Sequence, residues 1–136
     1  MKAELKQIQG SSFVAKADSN HWVTMDTSAN GGGSDAGASP MELVLMALAG
    51  CTAMDVESIL RKKRAGMTKL EINVEGERAT EPPKVFTKIH LDYIIHGDVR
   101  RIDAEQAVSL SQEKYCSVSA MLKHAAEVTY DIQIVE

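Results

Sequence analysis

Residues 39–66 read SPMELVLMALAGCTAMDVESILRKKRAG, and the fold is built around them. Ser39 at the N-cap, Pro40 at the first helical position and Glu42 at the third form a capping box. The serine and glutamate side chains each satisfy a backbone N–H that the helix start leaves unpaired, and proline is harmless where no N–H is needed. A helix therefore begins here and continues to about residue 65, with Gly66 as its stop. The run Arg61, Lys62, Lys63, Arg64 falls in its last turn, where cations meet the carbonyl end of the helix dipole. From Leu43 to Ala49 the helix is apolar on every side, the pattern of a helix surrounded by protein. A chain of 136 residues struggles to enclose about 24 helical residues, roughly 36 Å of helix, on all sides. A second subunit would solve that problem.

Upstream, residues 3–8, 13–17 and 22–26 read as short strands, with Phe13, Ala15 and Ala17 on one face. Gly10-Ser11 and Ser19-Asn20 supply the turns, so an antiparallel meander is expected. Residues 30–38, rich in Gly, Ser and Ala, read as a mobile loop. Gly31-Gly32-Gly33 has neither the spacing nor the lysine of a phosphate-binding loop. Downstream, residues 70–77 turn Leu70, Ile72 and Val74 inward. Residues 85–95 place Val85, Thr87, Ile89, Leu91, Tyr93 and Ile95 on one face, and Pro82-Pro83 between the two strands implies a hairpin. Asp103 with Gln106 three positions later opens a second helix to about residue 114. A third covers 118–127, and Tyr130, Ile132 and Ile134 alternate in a final strand. The order β-β-β-α-β-β-α-α-β, without internal repeat, is that of an α+β fold, read as a single domain over residues 1–136.

A hydrophobic fraction of 44% and a charged fraction of 25% are ordinary for a folded domain and exclude disorder. The net charge is -4 and the remaining basic residues are scattered, so no positive face awaits a phosphate backbone and nucleic acid is not expected as a partner. Residues 1–10 alternate in charge, unlike a secretory signal. No uninterrupted run of about 18 apolar residues offers a membrane span. The expectation is a cytoplasmic protein in a reducing compartment, where a permanent disulfide is unusual and a pair of cysteines calls for explanation.

Those cysteines are Cys51 and Cys116. Cys51 lies mid-helix in Leu48-Ala49-Gly50-Cys51-Thr52-Ala53, whose small neighbours let another helix or a ligand approach. A cysteine in an apolar helix is equally at home as a small buried hydrophobe. Cys116 stands just before the last helix, where unpaired amide protons can depress a thiol pKa, although a packed core role also fits. Neither belongs to a CxxC pair, and His21, His90, His96 and His124 are dispersed, so no metal site is expected. No nucleophile elbow, Walker motif or dinucleotide fingerprint is present, and no cofactor is expected.

The segments Ser39-Pro40-Met41-Glu42-Leu43, Ala47-Leu48-Ala49-Gly50-Cys51-Thr52 and Lys114-Tyr115-Cys116-Ser117-Val118-Ser119 together resemble the OsmC/Ohr family, the osmotically inducible and organic hydroperoxide resistance proteins, and in particular its YhfA-like branch. The resemblance covers nearly the whole chain. It implies an intertwined homodimer with central helices packed between sheets. It also implies a peroxidase in which Cys51 attacks a small organic hydroperoxide, becomes a sulfenic acid and is resolved by Cys116, an external thiol reductant (a dithiol) resetting the pair. The family's peroxidases activate the first cysteine with an arginine from the N-terminal sheet, held by a glutamate directly after the helix-opening proline. Here no arginine precedes Arg61. Lys2, Lys6 and Lys16 lack the planar fork, and Arg78 is the downstream candidate. Met41 follows Pro40, and Glu42, one position later, is the candidate supporting carboxylate. Glu42 and Cys51 are nine positions apart, about 900° of rotation and about 13.5 Å of rise, so Glu42 cannot serve Cys51 of its own chain; service across a dimer interface is the alternative to its capping-box role, which explains it fully. A non-catalytic protein holding a small apolar molecule beside Cys51 and Met54 is the alternative, and two inert buried thiols a third.

Overall fold

A computed structural model describes residues 1–136 and divides into two compact units, Met1–Val44 and Leu45–Glu136. In the first, strands β1 (Ala3–Gln9), β2 (Ser12–Ala17) and β3 (Val23–Met25) form the expected antiparallel meander. Helix α1 (Pro40–Lys62) starts where the capping box places it. The Ser39 N–H donates to Glu42 Oε1 at 3.2 Å, and the Glu42 N–H to Ser39 Oγ at 3.2 Å.

Residues 30–38 correct the expectation of a mobile loop. A 3-10 turn, Ala29–Gly31, is followed by chain that folds back onto the carboxylate of Asp26. Asp26 accepts the Ser12 hydroxyl at 2.7 Å and the N–H groups of Thr27 at 2.7 Å, Ser34 at 3.2 Å and Ala36 at 3.2 Å. The glycines serve this knot. Gly32 takes φ +88°, a left-handed conformation that costs glycine little, and a Cβ on Gly33 would collide with the Thr27 carbonyl. Glycine here signals close packing of backbone rather than freedom.

In the second unit, β4 (Met67–Arg78), β5 (Phe86–Gly97) and β6 (Glu127–Val135) make a sheet in the order β4-β5-β6, with β4 antiparallel and β6 parallel to β5. The inward face of β4 is as expected, with Leu70, Ile72 and Val74 covered. The expected inward face of β5 is correct for Ile89, Leu91, Tyr93 and Ile95 and wrong at its start. A bulge pairs Glu77 with Lys88 but Arg78 with Phe86, so Thr87 is the extra residue and is exposed while Phe86 is buried. Gly76 makes room for that ring: a Cβ there would meet Phe86 at 2.7 Å.

The helix ends differ from expectation for local reasons. α1 stops at Lys62, and the turn is closed by Ala65 N–H to Leu60 O and Arg64 N–H to Arg61 O, both 3.0 Å. This is the Schellman pattern, with Arg64 at φ +53° in the place usually held by glycine. α2 (Arg101–Leu110) begins before Asp103. Asp103 lies inside the first turn, accepting from Arg100 Nε at 2.7 Å and Lys63 Nζ at 3.1 Å. Gln106 Oε1 accepts from the same lysine at 2.7 Å, so these two residues tie α2 to the end of α1 and do not form a capping box. α3 is only Ser117–Leu122.

The absence of an uninterrupted apolar run does not make α1 polar on average. α1 contains an 18-residue window of mean hydropathy 1.7, long and apolar enough to cross a bilayer by length and composition, because a few small polar residues interrupt the run without lowering its average much.

The Asp26 carboxylate is held below the usual carboxylate range, first by the Ser12 hydroxyl and then by the three backbone N–H groups, against the opposing effect of burial. A depressed folded-state value stabilises the fold above the ordinary carboxylate pKa and stops doing so as pH falls through the lowered value. Unfolding free energy followed against pH is therefore expected to decline for the wild type below about pH 4, with a flatter acid limb and lower stability at neutral pH in Asp26→Asn.

Candidate functional site

The buried stripe of α1 runs Leu48, Thr52, Val56, Leu60, one residue per turn. Cys51 and Asp55 lie one position to its side, four residues apart, hence on a common face, and both are half-buried. Cys116 reaches them from another element. After Leu110 the helix loosens into a π-helical turn, Ser111–Tyr115, closed by the Cys116 N–H donating to Ser111 O at 2.8 Å. The wider turn carries both Ser111 and Gln112 inward. Cys116 then adopts an extended conformation and caps α3, its Sγ accepting the Ser119 N–H at 3.4 Å.

Three ligand-type atoms converge as a result: Cys51 Sγ, Cys116 Sγ and a carboxylate oxygen of Asp55 lie within 4.8 Å of one another, and both thiols are free. A fully buried polar cluster holds the surrounding elements. Thr52 Oγ1 is 2.7 Å from Tyr93 Oη and 2.7 Å from Ser111 Oγ. Ser111 Oγ donates to Asp55 Oδ2 at 2.9 Å. Gln112 Nε2 donates to Tyr93 Oη at 2.9 Å, and Ser119 Oγ donates to Gln112 Oε1 at 2.7 Å. No buried side-chain nitrogen or oxygen lacks a partner. The Tyr93 ring stands edge-on to Tyr130, with centroids 6.0 Å apart.

The electrostatics correct one expectation. The start of α3 does not depress the Cys116 thiol: burial pushes it up to about 11, aided by Cys51 and Asp55, and the single Ser119 N–H only partly opposes this. A six-residue helix offers one long amide contact, too little to offset loss of water and two neighbours that are anionic when deprotonated. Burial likewise raises Tyr93 to about 12, although Thr52 and Gln112 hydrogen-bond to it.

The other residues singled out from the sequence are engaged elsewhere. Glu42 is occupied in the capping box. Arg78 Nε donates to the Lys84 carbonyl beside the β4–β5 connection at 2.8 Å. Lys6 and Lys16 stand over the Trp22 ring, 5.7 and 4.8 Å from its centroid, and Lys16 also pairs with Glu4 at 3.6 Å. His96 Nε2 meets Glu71 at 2.8 Å. His90 joins Asp92 and Asp131 in a solvent-facing cluster. Asp55 and the residues linking Thr52 to Ser119 were not anticipated. The four-residue spacing of Cys51 and Asp55 was the one available signal, since the partners of Thr52 are 41 and 59 positions away.

An α+β fold of two three-stranded sheets and a long apolar helix, with one thiol on that helix facing a second thiol at a helix start, defines the class. The family model for OsmC-like proteins matches residues 31–131, and the chain belongs to that family. It is 41% identical to the protein YhfA of Escherichia coli K12, over 99% of this chain and 98% of that one. A hypothetical protein from Aquifex aeolicus superposes with a TM-score of 0.85 at 32% identity, covering 99% of this chain and 97% of the other. An organic hydroperoxide resistance protein OsmC from Legionella pneumophila shares the fold, with a TM-score of 0.72 at 17% identity over 98% and 97% of the two chains.

Removing the Tyr93 hydroxyl leaves Thr52 and Gln112 short of a buried partner. Tyr93→Phe is expected to cost about 1–3 kcal/mol in urea unfolding. In the wild type, the phenolate absorbance of this residue should not develop until about pH 12.

Proposed function

We propose that the protein is a thiol-dependent peroxidase for small organic hydroperoxides. The observation that carries this reading is the approach of the Cys51 and Cys116 sulfurs to within 4.8 Å, with one thiol half-exposed to an incoming molecule and the other buried. The name of the Legionella relative supports the substrate class. In the first step Cys51 sulfur attacks the outer oxygen of the hydroperoxide; the O–O bond breaks, an alcohol leaves, and Cys51 becomes a sulfenic acid. The Cys116 sulfur then displaces hydroxide, which departs as water with the thiol proton, and a disulfide forms. An external dithiol reduces that disulfide and leaves as its own oxidised form. No cofactor is needed, because the two thiols carry both electrons. A reducing compartment such as the cytoplasm supplies the reductant.

The functional unit is a homodimer. In one chain only 22% of the most apolar α1 window is buried, and Met46 and Met54 are 53% and 74% exposed. The opposite face of α1 is already packed on protein through Thr52, Val56 and Leu60. A helix half committed to protein and half bare calls for a second protein surface, not lipid on every side. Light scattering should give twice the chain mass of 14.8 kDa, and Met54→Glu, which places a charge in the covered face, should shift the protein towards monomer.

The chemistry is tested by adding equimolar cumene hydroperoxide to the reduced protein and following thiols and intact mass. Loss of both thiols with a decrease of about two daltons per chain is expected. Cys116→Ser should stop at a trappable sulfenic acid on Cys51, and Cys51→Ser should not react. Thiols unchanged over many minutes would favour a non-catalytic protein that holds a small apolar molecule in the same place.

A further inference from the structure

We infer that the reduced site binds a thiophilic divalent cation, of which zinc is the type, through Cys51, Asp55 and Cys116. The inference rests on where the three side chains lie and does not depend on peroxidase activity. Two sulfurs and a carboxylate oxygen share a volume no more than 4.8 Å across. A tetrahedral zinc ion with bonds of about 2.3 Å to sulfur and about 2.0–2.2 Å to oxygen sets its ligands roughly 3.5–3.8 Å apart. Small side-chain adjustments close that difference. Sequence spacing concealed the set, because only Cys51 and Asp55 are local; Cys116 is brought in by the π turn.

Three further observations point to a cation. First, no cation is ion-paired to Asp55, whose carboxylate takes its hydrogen bond from Ser111. Lys63, at the edge of the adjoining cleft, is taken by Asp103 and Gln106, at 3.1 and 2.7 Å. Lys123 is taken by the Gln112 carbonyl and Glu113, and Lys62, exposed on the wall of the same cleft, makes no ion pair with Asp55. Once a metal displaces the thiol protons, two thiolates and a carboxylate in one place repel unless that positive charge sits between them. Second, the supporting shell is already built. Ser111 Oγ donates to Asp55 Oδ2, and is itself held by Thr52; the Ser119 N–H points at Cys116 Sγ. Such outer contacts orient ligands for a metal. Third, one of the three donors faces open space: Asp55 borders a cleft of about 450 Å³ whose walls include Ile59, Lys62, Leu110 and Tyr115.

The donor types select the metal. Two sulfurs disfavour magnesium and calcium, which take oxygen, and favour a borderline-soft ion, with a fourth position left for water. Binding converts two thiols to thiolates and releases two protons per ion, so affinity rises with pH. No redox change is involved. While the ion is bound both thiols are occupied, and a disulfide between them removes two of the three ligands.

The test is an anaerobic titration of the reduced, metal-free, full-length protein with Co²⁺ at about pH 8, with no hydroperoxide present. One Co²⁺ per chain is expected, giving a near-ultraviolet thiolate-to-cobalt band and the intense visible bands of a tetrahedral site, all lost on adding Zn²⁺. Asp55→Asn keeps the side-chain shape and should weaken binding at least about tenfold with a shift of the visible bands; Cys116→Ser should lose about half of the thiolate band. Absence of a thiolate band in the wild type while two thiols remain titratable would overturn the proposal, as would an unchanged spectrum and affinity in Asp55→Asn. Both wild-type readouts are independent of turnover, so this result and the hydroperoxide result can fail separately.

Discussion

The Thr52 hydroxyl sits on the fully buried stripe of α1 with Tyr93 Oη and Ser111 Oγ each at 2.7 Å. A buried hydroxyl left unpaired costs about 1–3 kcal/mol, so α1, the centre of β5 and the π turn can pack together only where all three oxygens meet. Gln112 and Ser119 extend the same constraint to α3. Cys51 and Asp55 are neighbours of Thr52 on α1, and Cys116 follows the π turn directly. The meeting of the two thiols is thus a consequence of satisfying one buried polar cluster.

What that cluster assembles has an unusual charge balance. A carboxylate, Asp55, lies beside the two thiols, and of the nearby lysines Lys63 and Lys123 are paired with other groups. Burial and these neighbours hold Cys116 in its thiol form well above neutral pH. Two sulfurs and one carboxylate lie together with no cation hydrogen-bonded or ion-paired to them, the arrangement on which the proposed binding of a divalent ion rests.

The Met1–Val44 unit solves a different problem with the same kind of interaction. A single carboxylate, Asp26, collects a hydroxyl and three backbone N–H groups and so pins a segment whose composition alone spells looseness. In both units, polar side chains in the interior decide positions that apolar packing would leave adjustable.

Local chemistry was legible in the sequence. The capping box at Ser39–Glu42, the order of strands and helices, and the inward residues of β4 and of most of β5 all follow from side-chain periodicity and backbone hydrogen bonding within a few residues. The motifs around Cys51 and Cys116 were enough to mark the family. The rest needed partners distant in the chain. The bulge that buries Phe86 in place of Thr87 depends on the register with β4. Asp103 and Gln106 look like a capping box and instead bind Lys63, 40 and 43 positions away. Asp55 acquires meaning only when the π turn delivers Cys116 beside it. Short-range hydrogen bonds and periodicity are properties of a segment and can be read from it; burial, and the charge balance that burial imposes on a thiol, belong to the assembled surroundings and exist only once the tertiary structure has formed.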